Sequence, residues 1–137
     1  MRILAAIAMS FLVGTAISAV QAETAAAPRE VSRTVSSDVE SQIASATFWT
    51  SDCASRPVTV TIKKGPSSGT VSVRDGLNRV TENPRFGTAG RCVGRQVMGK
   101  QIVYRSKPGF RGADVIVYET VSDRGERATT TINVEVK

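Results

Sequence analysis

From Pro57 onward the chain alternates apolar and polar residues with period two. Val58, Val60 and Ile62 interleave with Thr59, Thr61 and Lys63, the pattern of a half-buried strand. Lys64-Gly65-Pro66-Ser67-Ser68-Gly69 is turn chemistry, and Thr70-Val71-Ser72-Val73 resumes the alternation with both valines inward. A third strand is predicted over 101–106, with Ile102 and Tyr104 on one face. A fourth, over 115–121, is nearly continuous in apolar residues, as expected of a central strand covered on both faces. Asp123-Arg124-Gly125 makes a short hairpin connection, and Gly125 suits its left-handed position. The last strand, 128–136, turns Ile132, Val134 and Val136 inward against Thr131, Asn133 and Glu135.

Elsewhere the pattern is weaker. Gly76, Pro84, Gly87, Gly90, Gly94 and Gly99 interrupt residues 74–100, which predicts one edge strand and long loops there. The best case for helix is a single turn over 38–44, where Val39 and Ile43 stand four apart. Short strands separated by turns, with no long helical period, predict an all-β fold. The expected form is an immunoglobulin-like antiparallel β-sandwich, Greek-key, of about seven strands.

The N-terminus reads differently. After Arg2, residues 3–20 are almost all apolar or small, and Val20-Gln21-Ala22 offers the small residues that signal peptidase needs. Residues 1–22 are therefore expected to be a signal peptide. With no cysteine after the cleavage site, no lipid anchor is expected, and no later segment is apolar enough to cross a membrane. Residues 23–38, rich in Ala, Ser and Thr and without an aromatic, are expected to be a flexible leader. Residues 39–137 then form one domain. Location is expected to be periplasmic or extracellular.

Export makes the two cysteines informative. Cys53 and Cys92 have only each other, and an oxidising compartment favours a structural disulfide. The loop closed would be about 40 residues, worth roughly 4 kcal/mol by chain entropy. A metal-binding or reactive thiol pair would need other ligands nearby, and the chain has no histidine.

Pro66-Ser67-Ser68-Gly69-Thr70-Val71, then Tyr104, then Gly109-Phe110-Arg111-Gly112-Ala113-Asp114, with Tyr118, Asp123 and Gly125 following, resembles the signature of bacterial immunoglobulin-like and cadherin-like domains. The likeness covers roughly 58–137. Ser106 stands where that family has proline, Pro108 directly precedes the glycine, and Asp123 and Gly125 are one residue closer together than the family's spacing. The resemblance implies a sandwich closed by a structural corner made of Pro108, Gly109, Phe110, Gly112, Asp114 and Tyr118. Phe110 would plug one end of it. The family's domains occur in tandem in adhesins, whereas this chain holds one copy. A disulfide between the central strands, as in antibody domains, is not available here; Cys53–Cys92 instead joins the start of the sandwich to the 74–100 insert.

Charge supplies the main functional signal. The net charge is +6, and nine basic residues (Arg74, Arg79, Arg85, Arg91, Arg95, Lys100, Arg105, Lys107, Arg111) face only Asp75 and Glu82 between 74 and 111. Gathered on one side, they would form a basic face for an anionic envelope component or an exported protein; the plain alternative is a solvated surface that aids solubility. Nucleic acid is not expected, since the segment lacks interleaved aromatics. Asp114, Asp123 and Glu126 could suggest calcium, but Arg111, Arg124 and Arg127 lie among them, and capping of turns is the expected role. Without histidine there is no Ser-His-Asp or Cys-His arrangement, and no Ser-x-x-Lys follows residue 22. No enzyme, metal or cofactor is expected. Phe48-Trp49 is either a carbohydrate platform or, as Trp49 buried under the first strand, part of the core. The function expected is non-catalytic binding or structural support at the cell envelope; the alternative is a secreted inhibitor or accessory subunit of another exported protein.

Overall fold

The alternating valines fold as two facing sheets. The computed structural model describes residues 25–82, 84, 86 and 89–137; the expected signal peptide at 1–22 and Arg85 lie outside the described residues. The strands are β1 (Arg29–Val35), β2 (Ser41–Ala46), β3 (Phe48–Trp49), β4 (Ser55–Arg56), β5 (Val58–Lys64), β6 (Gly69–Arg79), β7 (Gln96–Ser106), β8 (Gly112–Ser122) and β9 (Arg127–Val136), with one 3-10 turn at Gly90–Cys92. One layer has the order β1-β9-β8-β5 and the other β2-β7-β6, while β3 and β4 form a separate ribbon. The chain is thus an all-β sandwich. Setting β5-β8-β9 against β2-β7-β6 is the strand order of the immunoglobulin sandwich, with the first strand parallel to β9. Among the described residues no helix is long and apolar enough to cross a membrane.

The core lies between the layers. Ile43, Ile102 and Tyr104 from one sheet meet Ile116, Tyr118, Ile132, Val134 and Val136 from the other. Ile102, Ile116 and Ile132 are 0% exposed, and burying each such side chain is worth about 1.5–3 kcal/mol. The inward positions shrink along the sheet. Ile116 pairs with Ile132, Tyr118 with Thr130, and Thr120 with Ala128. One end of the sandwich is therefore filled with branched apolar side chains, and the other is lined by Thr and Ala.

Three expectations are corrected, and the one segment considered for a helical turn is settled. Residues 29–35 of the expected flexible leader form β1, paired in register with β9 from Arg29↔Thr130 to Val35↔Val136. Only Val31 and Val35 of β1 pack inward, so backbone hydrogen bonds order the strand and its hydrophobic signal stays faint. The possible helical turn at 38–44 is instead a turn leading into β2, which pairs antiparallel with β7. The 74–100 insert carries strand at both ends where one edge strand was expected: β6, which is an edge strand, runs to Arg79 and the central β7 begins at Gln96. Gly76 and Gly99, read as interruptions, face each other across this ladder. A Cβ on Gly99 would stand 2.4 Å from the Ala46 carbonyl oxygen, so the glycine lets β2 pass close rather than ending the strand. Finally, β8 is central in its sheet, but only its inward face is buried; Val115, Val117, Glu119 and Val121 remain partly open.

Candidate functional site: an arginine-rimmed cleft

Where the inward side chains shrink, the two layers part around a cleft of about 420 Å³. Ala128, Thr120 and Thr130 line its interior. β1 supplies Arg29 and Arg33, which share parity with Val31 and Val35 and so flank the apolar row at the mouth of the sandwich. The Arg33 Nε donates to the Ile43 carbonyl at 2.9 Å, linking the two layers across their open side. Pairing of β3 with β4 sets Phe48 opposite Arg56 and Trp49 opposite Ser55. Arg79 enters from the end of β6 and Arg124 from the β8–β9 hairpin.

Among the described residues, five arginines thus contribute to one lining that contains a single carboxylate, Glu126. Arg56 is paired with Asp123, and the Ser122 hydroxyl donates to Glu126 at 2.8 Å. Arg79 donates to the Gly94 carbonyl at 3.3 Å. Arg29 and Arg124 make no ion pair among the described residues. Crowded guanidinium groups raise the local positive potential, which an incoming anion relieves. Phe48 and Phe86 stack with ring centroids 5.9 Å apart; Trp49 and Tyr118 complete the aromatic part of the wall.

The disulfide supports that wall. Cys53 and Cys92 are bonded, with Cα atoms 5.5 Å apart. Around them Val80, Ala89 and Val97 form a second, smaller core, against which the half-buried Trp49 packs. Trp49 therefore packs on this core and also lines the cleft. The loop between β3 and β4 is held by the Thr50 hydroxyl, which donates to Asp52 and receives the Ala54 amide at 3.0 Å.

The basic positions named from sequence, Arg85 excepted because it lies outside the described residues, fall in separate places. Arg74 pairs with Glu40 at 2.8 Å and Arg105 with Asp38 at 3.0 Å, both from β2-β7-β6. Lys100 pairs with Asp75 at 2.6 Å. Lys107 and Arg111 lie on the turn before β8, at the end away from the cleft. Arg91 donates to the Ser51 carbonyl at 3.1 Å beside the disulfide, and Arg95 is exposed just before β7. Among the described ones, Arg79 lines the cleft.

The corner residues serve the opposite end. Gly109 and Gly112 have φ of 74° and 131°, which let the chain reverse between β7 and β8. Pro108 precedes this reversal, and Phe110 packs on the main core. Asp114 accepts from the Ser67 and Ser68 amides at 2.8 and 2.9 Å, from the Val115 amide at 3.0 Å and from the Tyr104 hydroxyl at 3.0 Å. Burial alone would raise the Asp114 pKa, but these hydrogen bonds together hold it below the usual value. Burial and the neighbouring carboxylate push Tyr104 up to about 12. Tyr118 packs in the main core and lines the cleft.

Family models, curated proteins and solved structures all fail to match the chain.

Arg29, Arg33, Arg56 and Arg124 are the cleft residues that sequence reasoning did not single out. Their traces were present: Arg29 and Arg33 occupy alternate positions with Val31 and Val35, and the inward row of β9 falls to Thr130 and Ala128.

Proposed function

We propose that the protein is an exported, non-catalytic immunoglobulin-like module that binds an anionic partner at the cell envelope. The observation that carries this reading is the cleft, where five arginines and one glutamate surround an aromatic wall. Carboxylates elsewhere are engaged in building the fold: Asp114 caps the 65–68 turn, and Asp123 holds Arg56. The resemblance to bacterial immunoglobulin-like domains adds the envelope setting, and the disulfide fits an oxidising compartment.

A second reading, a secreted inhibitor or accessory subunit, draws on β6. This strand is 11 residues long and lies at the edge of its sheet. Leu77, beside its end, is 54% exposed, and its cross-strand partner Met98 is 49% exposed. Uncovered edges of this kind accept added strands.

Pull-down from envelope and periplasmic extract separates the readings. Recovery of glycan or lipid without protein, released by raised salt, is the expected result. One stoichiometric protein band would favour the inhibitor instead, and recovery of nothing would end both.

A further inference from the structure

We infer that the cleft is a saccharide site, and that its ligand is a sugar unit bearing a carboxylate or phosphate. This deepens the binding reading above and rests on it. The volume of about 420 Å³ falls within the usual size of small-ligand sites, roughly 300–1,000 Å³. A flat protein epitope would not need such a recess.

The lining selects among small anions. An acyl chain requires a continuous apolar channel, but the deep part of this cleft carries the Thr120 and Thr130 hydroxyls on either side of Ala128. Ser45 and Thr47 add two hydroxyls from the β2–β3 passage. Such groups both donate and accept, which matches the hydroxyls of a sugar. Trp49 offers an apolar ring face for the C–H side of a pyranose while its other side rests on the disulfide core. Guanidinium groups are the side chains best shaped for a carboxylate or phosphate, which they bind through two parallel hydrogen bonds. Arg29 and Arg124, without ion pairs among the described residues, are available for that contact from β1 and the β8–β9 hairpin of the same layer. Neutral sugars would leave the guanidinium cluster uncompensated, so charge sets the specificity.

The chain contains a single tryptophan, Trp49, so its emission reports directly on the cleft. The oxidised full-length mature protein is titrated with glucuronate, glucose 6-phosphate, oligogalacturonate and, as neutral controls, glucose and maltose. The expected result is a saturable change with acidic sugars and none with neutral ones. Response to free monosaccharides as well as to oligogalacturonate identifies a terminal or free unit; response to the oligomer alone identifies a polymer as the source. The double variant Arg29→Ala/Arg124→Ala should weaken binding about tenfold or more, while Arg74→Ala/Arg105→Ala leaves it unchanged. An equal response to neutral sugars, silence of Trp49 toward every acidic sugar, or an undiminished affinity in the Arg29/Arg124 variant would overturn the inference. If envelope material is still captured while Trp49 stays silent, the saccharide site is wrong and the binding module stands. If neither occurs, both fall.

Discussion

At one end of the sandwich Asp114 lies buried among five donors, with Tyr104, Ile116 and Val134 packed around the strand that carries it. At the other end the same two strands, β8 and β9, present Thr120, Thr130 and Ala128, and arginines stand around an open cleft. Each end contains charge next to aromatic side chains. The difference is satisfaction: the carboxylate at the corner has its partners inside the protein, while the guanidinium groups at the cleft exceed theirs. A charge supplied with internal partners stabilises a fold, and an excess of like charge beside a recess favours binding from outside.

The largest effect should come from emptying the corner. Asp114→Ala leaves the Tyr104 hydroxyl and the Ser67 and Ser68 amides without their acceptor, and should cost about 3–5 kcal/mol in urea unfolding. A loss below about 1 kcal/mol would show the corner to be no more committed than the cleft. Removing the disulfide with Cys53→Ala/Cys92→Ala should cost about 2–4 kcal/mol. Because the bond backs the cleft wall, Trp49 emission should change in the folded variant while the hydrogen bond of Tyr104 persists.

The pH dependence isolates the corner further. Asp114 has a lowered pKa when folded, so its contribution is present above the unfolded value and disappears as pH falls through the folded one. The stability difference between wild type and Asp114→Asn should therefore be constant near neutrality and shrink below about pH 4. Tyr104 has the opposite sign. Raised to about 12, it contributes below the unfolded value of about 10 and loses that contribution as pH climbs between the two. Absorbance titration should show a phenol ionising in that upper range, and Tyr104→Phe should abolish the step.

Smaller effects test the cleft end. Ala128→Leu should change stability by less than about 1 kcal/mol, because open space lies beside it, yet obstruct binding in the cleft. A cost above about 2 kcal/mol, the usual result of overfilling a packed core, would mean that this end is as full as the other. Smallest of all, Arg29→Ala and Arg124→Ala should each lie within about 0.5 kcal/mol of wild type.

The contrast was partly written in the alternation of residues. Ile132, Val134 and Val136 announced their inward face, and the Tyr104-to-Asp114 spacing marked a corner. The same row continues to Thr130 and Ala128, but a decline in side-chain size has no visible consequence until the facing strand is known. Arg29 and Arg33 were harder still, since a strand ordered by backbone pairing with β9 lacks the apolar density that makes a strand legible. Gly76 and Gly99 misled for a related reason: a glycine that admits another backbone looks the same in one dimension as a glycine that breaks a strand.

Local pattern by itself determined the all-β character, the strands from Val58 onward and the hairpin at Gly125, because period-two burial and turn chemistry act between near neighbours. The pairing of the only two cysteines followed from their number. Tertiary structure alone decided that Arg29, Arg33, Arg56, Arg79 and Arg124, spread along most of the chain, should border one recess, and that Arg74, Lys100 and Arg105 should each meet a carboxylate. Coulomb interactions depend on distance in space, and the sequence does not order charges by that distance.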